Sequence, residues 1–198
     1  FNEGRIWVRK IRDPHGTKQT GWVPAQVINP IAEVCLLTRI ARQGGILIHA
    51  SAIKKGSSGF AFSGPSGAGK STRADFFKSR GDGVPLSDEK IILRMEAGEL
   101  RGYGTPWHGS SRYALNESAV LERFFVICHG AKNHDIRELP FGQWSSRVLR
   151  ECVLPHWDRQ GMASTMEFLE TLACRKQCLE LSFLKDPSIV NWLLEDQS

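Results

Sequence analysis

Apolar residues along this chain occur in two patterns, as short runs bounded by turn residues and as longer stretches with helical spacing. The short runs predict strands over residues 4–10, 46–53, 59–63, 91–95, 99–103, 121–128 and 179–184. The helical spacing predicts helices over residues 31–43, 143–152, 162–178 and 187–194. Strands interspersed with helices in this way are typical of an α/β fold.

Residues 64–71 read Gly-Pro-Ser-Gly-Ala-Gly-Lys-Ser and match the pattern G-x-x-x-x-G-K-[ST] without a mismatch. Glycines allow the backbone to curl so that several N–H groups converge on one anion. Lys70 supplies positive charge for the β- and γ-phosphates of a nucleotide, and the Ser71 hydroxyl suits Mg²⁺. A helix from Lys70 to a stop at Gly81 directs its positive N-terminus at the same phosphates. We therefore expect ATP and Mg²⁺, with ATP contacts from Gly64, Pro65, Ser66, Gly67, Ala68, Gly69, Lys70, Ser71 and Thr72.

The strand that leads into this P-loop belongs to a predicted hairpin. Residues 46–53 and 59–63 are separated by the polar turn Lys-Lys-Gly-Ser-Ser at 54–58. Most P-loop proteins enter the loop from a strand of a parallel sheet. An antiparallel hairpin at this point therefore separates the chain from a generic P-loop NTPase.

Length and charge agree with this interpretation. The 198 residues, 41% hydrophobic and 24% charged, suffice for one α/β domain over residues 1–198. Because the chain starts at Phe1 and not at Met, a trimmed N-terminus is compatible with that domain. The net charge of +5 is scattered along the chain, and a nucleotide ligand accounts for part of it. We therefore expect no nucleic-acid partner.

No apolar stretch is long enough for a membrane span, and no signal peptide is evident, so we expect no membrane partner. The five cysteines are odd in number and include no C-x-x-C pair, which favours buried free thiols in a reducing compartment. Both observations predict a cytoplasmic protein.

Phosphoryl transfer requires a metal ligand and a group that positions or deprotonates the acceptor, and Asp88 is the first candidate for both. It follows an apolar stretch, so we expect it at a strand end beside the phosphates. Glu89 is a second candidate metal ligand, although its side chain points away from Asp88 if the backbone is extended. His49, in the first strand of the hairpin, can orient the acceptor, bind metal or stabilise charge. The alternative for His49 is a histidine buried in the core.

A long irregular segment at 104–118, rich in Gly, Ser and aromatic residues, supplies candidates for an acceptor site. Trp107 and His108 can shape an acceptor pocket, or a buried Trp107 simply anchors the loop. Arg101 and Arg112 are candidates for stabilising transition-state charge, or they are surface arginines.

Taken together, these residues resemble the HPr kinase/phosphorylase family, whose wider group includes ATP-dependent phosphoenolpyruvate carboxykinase. The similar segments are His-Ala-Ser-Ala at 49–52, residues 64–72, Ser-Asp-Glu at 87–89 and Glu-Leu-Arg-Gly-Tyr-Gly at 99–104. The resemblance implies a mixed β-sheet P-loop kinase core of this type with flanking helices. It also implies that Asp88 is the base for the acceptor and that His49, as in carboxykinases, lies at the metal.

The resemblance implies an ATP-dependent kinase that transfers a phosphoryl group to a hydroxyl, with serine as the favoured acceptor, on a peptide, a protein or a small molecule. Two other activities stay open. A non-catalytic nucleotide-binding regulatory module is compatible with Glu89, which stands where HPr kinases usually have Asp. The other is a phosphoserine phosphorylase or phosphatase. Association of the chain with copies of itself, as a homo-oligomer, also stays open.

Overall fold

The computed structural model describes residue 5 and residues 24–128, 133–175 and 178–195. Within them the helices are α1 (Pro24–Arg42), α2 (Lys70–Arg80), α3 (Phe141–Glu151), α4 (Arg159–Cys174) and α5 (Ser188–Glu195). The strands are β1 (Gly45–Lys55), β2 (Ser58–Ser63), β3 (Val84–Ser87), β4 (Lys90–Glu96), β5 (Glu99–Gly104), β6 (Ser118–Cys128), β7 (Asp135–Glu138) and β8 (Leu179–Ser182). The strand predicted at 4–10 lies, apart from residue 5, outside the described residues.

The chain divides into two compact units, residues 1–36 and 37–198. In the first unit, the described side chains of residues 28–36 belong to α1, and none of them is buried. The second unit contains the last turns of α1 and all the other elements named above. The expectation of a single domain over residues 1–198 stays a prediction.

The eight strands form one mixed sheet in which β1 is hydrogen-bonded along both edges. On one edge β1 pairs antiparallel with β2, and on the other it pairs antiparallel with β4 and then β3. β6 runs parallel to β2 and β8, while β5 pairs antiparallel with both β4 and β6. A closed ring of hydrogen-bonded strands is therefore formed by β1, β2, β6, β5 and β4. The predicted α/β fold, with a mixed sheet and flanking helices, is confirmed.

The P-loop hairpin is present, with Ala50 of β1 opposite Ser63 of β2. β3 is also antiparallel to β1, with Ser87 opposite Ala52, so β2 and β3 run in the same direction. β6 and β8 share that direction because they are parallel to β2 and to each other. Four strands consequently end at one edge of the sheet, which is where open α/β sheets bind ligands.

Two hydrophobic clusters lie on opposite faces of the sheet. Phe60 and Phe62 of β2 belong to the cluster that includes side chains of α2 and α5. Ala61 between them belongs to the cluster of α3 and α4, as the alternation of side chains along a strand requires. In that second cluster Trp144 of α3 is fully buried and meets Phe124 edge to face, with ring centroids 6.2 Å apart. The strand that carries the P-loop is therefore fixed by packing on both faces.

Several elements differ from their predictions. α1 begins at Pro24, seven residues before its predicted start, because proline is favourable in the first turn of a helix. α4 ends at Cys174, four residues before its predicted end. Strand β7 is absent from the prediction. β3 is predicted only as the apolar stretch whose end precedes Asp88, and its four residues form that strand. All five cysteines are free, but only Cys178 is buried, so the expectation of buried thiols is wrong for the exposed Cys35 and Cys174.

Gly104, the last residue of β5, permits a close backbone contact that fixes the irregular segment after it. A Cβ atom there would lie 2.0 Å from the carbonyl oxygen of Leu115 and 2.8 Å from that of Leu86. We predict that Gly104→Ala lowers the free energy of unfolding by about 2 kcal/mol or more, measured by urea denaturation.

The control for this prediction is Gly142→Ala on the first turn of α3, where an added Cβ would meet no described atom within 4 Å. That substitution should be neutral or raise the free energy of unfolding by up to about 1 kcal/mol. Equal effects of the two substitutions would show that the contact at Gly104 does not constrain the fold.

Candidate active site at the P-loop

The glycines at residues 64–71 hold the loop in a conformation that other residues adopt only with strain. Gly67 and Gly69 have φ values of 78° and 88°, in the left-handed region. A Cβ atom on Gly64 would lie 2.5 Å from Cγ1 of Ile127 on β6, so this glycine also allows close packing against the neighbouring strand. Gly69 is the N-cap of α2. The first N–H groups of this helix therefore have no intrahelical partner and are available to an anion.

Lys70 folds back over the loop. Its Nζ donates to the carbonyl oxygens of Gly64 at 2.5 Å and Pro65 at 3.1 Å. Burial lowers the pKa of Lys70, whereas the nearby carboxylates of Glu151 and Glu89 act in the opposite direction. A partly desolvated ammonium in this position is a strong electrostatic partner for phosphate oxygens.

A cavity of about 280 Å³ lies against the P-loop, and we call it the phosphate cavity. Its lining residues are Ser66, Gly67, Gly69, Lys70, Ser71, Thr72, Asp88, Glu89, Ser110 and Lys185. The structure therefore brings six of the predicted nucleotide contacts together with both predicted carboxylates. Of the other predicted contacts, Ala68 is buried within the loop, and Gly64 and Pro65 line a second cavity.

Asp88 is buried and accepts three backbone hydrogen bonds. Oδ1 accepts from the N–H groups of Gly109 at 2.9 Å and Tyr113 at 3.2 Å. Oδ2 accepts from the N–H of Ser111 at 2.8 Å. An ionised carboxylate has about four acceptor positions, so this loop occupies most of them. Asp88 thus anchors residues 109–113 beside the cavity.

Glu89 and His49 form a half-exposed pair at the same edge of the sheet. Glu89 Oε1 lies 3.4 Å from His49 Nδ1, and their side chains are 41% and 39% exposed. The backbone bends at Asp88 and Glu89 instead of continuing as a strand, so both carboxylates line the cavity. The structure corrects the expectation that Glu89 points away from Asp88. It also shows that His49 is not a core histidine.

The loop 109–113 is tied to α2 as well as to Asp88. Tyr113 donates its hydroxyl to Asp75 Oδ1 at 2.7 Å, and Ser111 donates its hydroxyl to Asp75 Oδ2 at 3.3 Å. Desolvation, followed by the hydrogen bond to Asp75, raises the pKa of Tyr113 to about 12. We call Asp75, Asp88 and the loop 109–113 the aspartate clasp, because two carboxylates hold one loop over the P-loop helix.

Arg112 lies in the aspartate clasp with a φ of 57°, which is uncommon for a residue with a side chain. Its N–H donates to the carbonyl of Gly109 at 3.3 Å and closes a tight turn. This turn is what lets the flanking amides converge on Asp88. The Arg112 side chain is exposed and does not line the phosphate cavity. Arg112 therefore contributes to the aspartate clasp through its backbone turn.

Trp107 and His108 lie near the aspartate clasp but do not line the phosphate cavity. Trp107 is half-buried, and its carbonyl accepts a hydrogen bond from the hydroxyl of Ser87 at 3.3 Å. Its ring centroid is 5.5 Å from Lys90 Nζ. His108 is exposed, with Nδ1 3.2 Å from the carbonyl oxygen of Gly109.

Arg101 lies away from the site that the sequence suggests for it. It pairs with Val120 of β6, and Val120 also pairs with Ser58 at the start of β2. The P-loop follows the opposite end of β2, and the Arg101 Nε lies 3.5 Å from Glu96 Oε2. The structure therefore corrects the placement of Arg101, because only the sheet register shows which end of β5 it occupies.

Lys185 and Ser110 line the phosphate cavity although the sequence analysis does not include them. Lys185 follows β8, whose last residue, Ser182, lies opposite Cys128 of β6. The Lys185 Cε atom is 3.8 Å from the position of a Cβ on Gly69. A single lysine in a loop has no local pattern, so only the order of strands identifies it.

A second cavity of about 390 Å³ also borders the loop. It is lined by Gly64, Pro65, Val126, Ile127, Cys128, Arg147, Arg150 and Glu151. Among the described residues, no group of three or more His, Cys, Asp or Glu side chains could hold a metal ion. A Mg²⁺ ion that binds together with nucleotide phosphates needs only one or two protein ligands, so the Ser71 hydroxyl and the Asp88 carboxylate fit that requirement.

Comparisons with known proteins identify a structural likeness. No family model matches the chain, and no curated protein matches it. Among solved structures, the chain is similar to the HPr(Ser) kinase/phosphatase from Coxiella burnetii, with 12% sequence identity and a TM-score of 0.44. The match covers 76% of this chain and 89% of that chain. In the described part of the chain, no helix is long and apolar enough to cross a membrane.

The aspartate clasp predicts how Tyr113 ionises. We expect Asp75→Asn to lower the pKa of Tyr113 from about 12 toward its ordinary value of 10.0, because the variant loses the hydrogen bond to a carboxylate and its charge. Because the pKa of Tyr113 is higher in the folded than in the unfolded protein, its protonated hydroxyl contributes fully to the stability of the fold below about pH 10. This contribution is lost as the pH rises to about 12. Ultraviolet titration of tyrosinate measures this change.

The chain has only one other tyrosine, Tyr103, so Tyr113→Phe assigns the signal. Asp82→Asn, just beyond the end of α2, is the control and should leave the titration unchanged. A Tyr113 titration that is the same in Asp75→Asn and in the unsubstituted protein would contradict the contact.

Proposed function

We propose that this protein is an ATP-dependent phosphotransferase that acts on a hydroxyl group. The observation that carries the proposal is one cavity in which Lys70 and Ser71 of the P-loop are lining residues together with Asp88 and Glu89. Phosphoryl transfer depends on charge stabilisation at the phosphates and on a group that positions or deprotonates the acceptor. Both kinds of group are present in this cavity.

The phosphates of ATP are assigned to the backbone amides of residues 66–71, with Lys70 at the β- and γ-phosphates. The left-handed conformations of Gly67 and Gly69 support this assignment, because they turn successive N–H groups of the loop to one side. Lys185 adds a second cation to the same cavity.

Ser71 and Asp88 are the residues assigned to Mg²⁺. Asp88 Oδ2 accepts only one hydrogen bond, so it keeps an acceptor position for the ion or for water bound to it. When bound there, Mg²⁺ would neutralise part of the charge on the transferred phosphoryl group.

Glu89 is the better placed of the two carboxylates to act as the base. Three backbone amides engage Asp88, whereas Glu89 is half-exposed and has His49 beside it to orient its carboxylate. In the proposed reaction the acceptor oxygen bonds to the γ-phosphorus, and the bond from the γ-phosphorus to the β–γ bridging oxygen breaks. ADP leaves, and the hydroxyl proton passes to Glu89. This role for Glu89 replaces the base and metal roles that the sequence suggests for Asp88 and Glu89 respectively.

The acceptor is proposed to be a serine or another hydroxyl on a peptide, a protein or a small molecule. This part of the proposal, like the cytoplasmic location and the absence of a nucleic-acid partner, rests on the sequence alone. The structure contributes the geometry of the acidic groups that an acceptor would approach.

Incubation with γ-labelled ATP, Mg²⁺ and a panel of seryl peptides and hydroxyl compounds tests this function. We expect transfer by the unsubstituted protein and no ATP binding by Lys70→Met. Glu89→Gln should lower kcat about 100-fold with little change in the KM for ATP, because the base acts only in the chemical step. Glu99→Gln, at the exposed first residue of β5, should retain full activity.

Three outcomes would change the proposal. Loss of kcat in Asp88→Asn with full activity in Glu89→Gln would return the base role to Asp88. ATP binding without transfer to any acceptor would favour a regulatory nucleotide-binding module. Release of phosphate from a phosphoserine peptide would favour a phosphatase, and formation of pyrophosphate from that peptide and inorganic phosphate would favour a phosphorylase.

Lys185 provides a separate prediction, because no motif contains it. Lys185→Gln should raise the KM for ATP about tenfold, as expected when one charge-assisted hydrogen bond to phosphate is lost. The melting temperature should stay the same, since the side chain is exposed. Lys55→Gln, at the exposed last residue of β1, has the same charge change and should leave KM unaltered. An unaltered KM in Lys185→Gln would remove this residue from the site.

A further inference from the structure

Arg73 is a fully buried cation directly behind the P-loop. It lies three residues after Lys70 on α2, and its side chain has no solvent exposure. Its Nη2 is 3.5 Å from the carbonyl oxygen of Ala68, and its backbone N–H donates to the carbonyl of Gly69 at 3.1 Å. Among the described residues, Nε and Nη1 of this guanidinium have no hydrogen-bond partner.

Aromatic rings surround the guanidinium in place of a carboxylate. The Arg73 Cζ atom lies 3.8 Å from the ring centroid of Phe183 and 4.7 Å from that of Phe62. Cation–π contacts of this kind offset only part of the cost of removing a charge from water. Burial lowers the pKa of Arg73 to about 9, so the group stays charged near neutral pH. Within the described part of the chain, the guanidinium thus has no carboxylate that neutralises its charge.

The position of this charge relates it to the phosphate cavity. Phe183 contacts Arg73 on one side, and its Cζ lies 3.1 Å from the position of a Cβ on Gly69. Ala68 and Gly69 therefore form the layer between the guanidinium and the cavity. Burial is the main cause of the lowered pKa of Lys70, and the charge of Arg73 acts in the same direction.

We propose that Arg73 is a positioning residue for polyphosphate, a fixed buried charge that is neutralised when a di- or triphosphate occupies the P-loop. The inference rests on the proposed function only in requiring that the loop binds phosphates, and it does not require transfer. An uncompensated charge destabilises the free protein and attracts the phosphates through a layer of low dielectric. The P-loop motif does not include Arg73, so its buried charge would act on the phosphates in addition to the charge of Lys70.

The test compares Arg73→Met with the unsubstituted protein in buffer free of phosphate and sulfate, with inorganic pyrophosphate as the probe. Met keeps the length of the side chain and can pack between the two rings, but it carries no charge. Without pyrophosphate the variant should melt about 3 °C or more above the unsubstituted protein, because a buried unpaired charge is gone. Its Kd for pyrophosphate, measured by calorimetry, should be about tenfold higher.

The matched control is Arg80→Met, which changes the net charge equally at the other end of α2. Arg80 is partly exposed and pairs with Asp82, so its Kd for pyrophosphate should stay within about twofold of the original. If Arg73→Met binds pyrophosphate as tightly as the unsubstituted protein, the proposal is wrong.

The proposal is equally wrong if Arg73→Met melts lower, or fails to fold, in the ligand-free buffer, because Arg73 then stabilises the fold by itself. An unsubstituted protein that binds neither pyrophosphate nor ATP would overturn the proposed function, and this inference with it. Titration of the unsubstituted protein with pyrophosphate and ATP therefore separates failure of the proposed function from failure of the Arg73 proposal alone.

Discussion

The antiparallel pairing of β1 along both of its edges is the constraint on which the site depends. Since β2 and β3 are both antiparallel to β1, they end at the same edge of the sheet. The P-loop and the bend at Asp88 and Glu89 therefore leave the sheet on either side of β1, close to His49. Buried side chains on both faces of β2 hold this register, because a slip of one residue would exchange the two faces. The chemistry of the site thus follows from the register of the sheet.

Two buried charges beside the loop have opposite surroundings. Asp88 accepts three backbone hydrogen bonds, so its charge is satisfied without a ligand and fixes the loop 109–113. Arg73 lies against aromatic rings, and in the described structure two of its nitrogens have no hydrogen-bond partner. A satisfied buried charge stabilises one conformation, whereas an uncompensated one makes stability depend on a counter-ion. The acidic side of the site is accordingly preorganised, and the phosphate side responds to what binds there.

The sequence predicts those parts of the site whose patterns are local. The P-loop, its hairpin and the helix that stops at Gly81 are each defined by adjacent residues, and all three are present. The position of Asp88 at a strand end was also predictable, because an apolar stretch precedes it. The orientation of Glu89 into the cavity and the presence of Lys185 there were not predictable, since the first depends on a bend in the backbone and the second on which strand lies beside β6. Arg101 was misplaced for the same reason, because the register of β5 is set by residues far away in the chain.

We propose that the phosphate cavity binds a nucleoside triphosphate through its phosphates. The decisive measurement of this binding is competition calorimetry, in which Mg·ATP is titrated with and without excess pyrophosphate and adenosine is titrated separately. We expect one ATP site, competition by pyrophosphate and much weaker binding of adenosine, because the cavity offers amides, lysines and hydroxyls. Adenosine that binds as tightly as ATP, or ATP binding that pyrophosphate does not affect, would rule out this mode of binding.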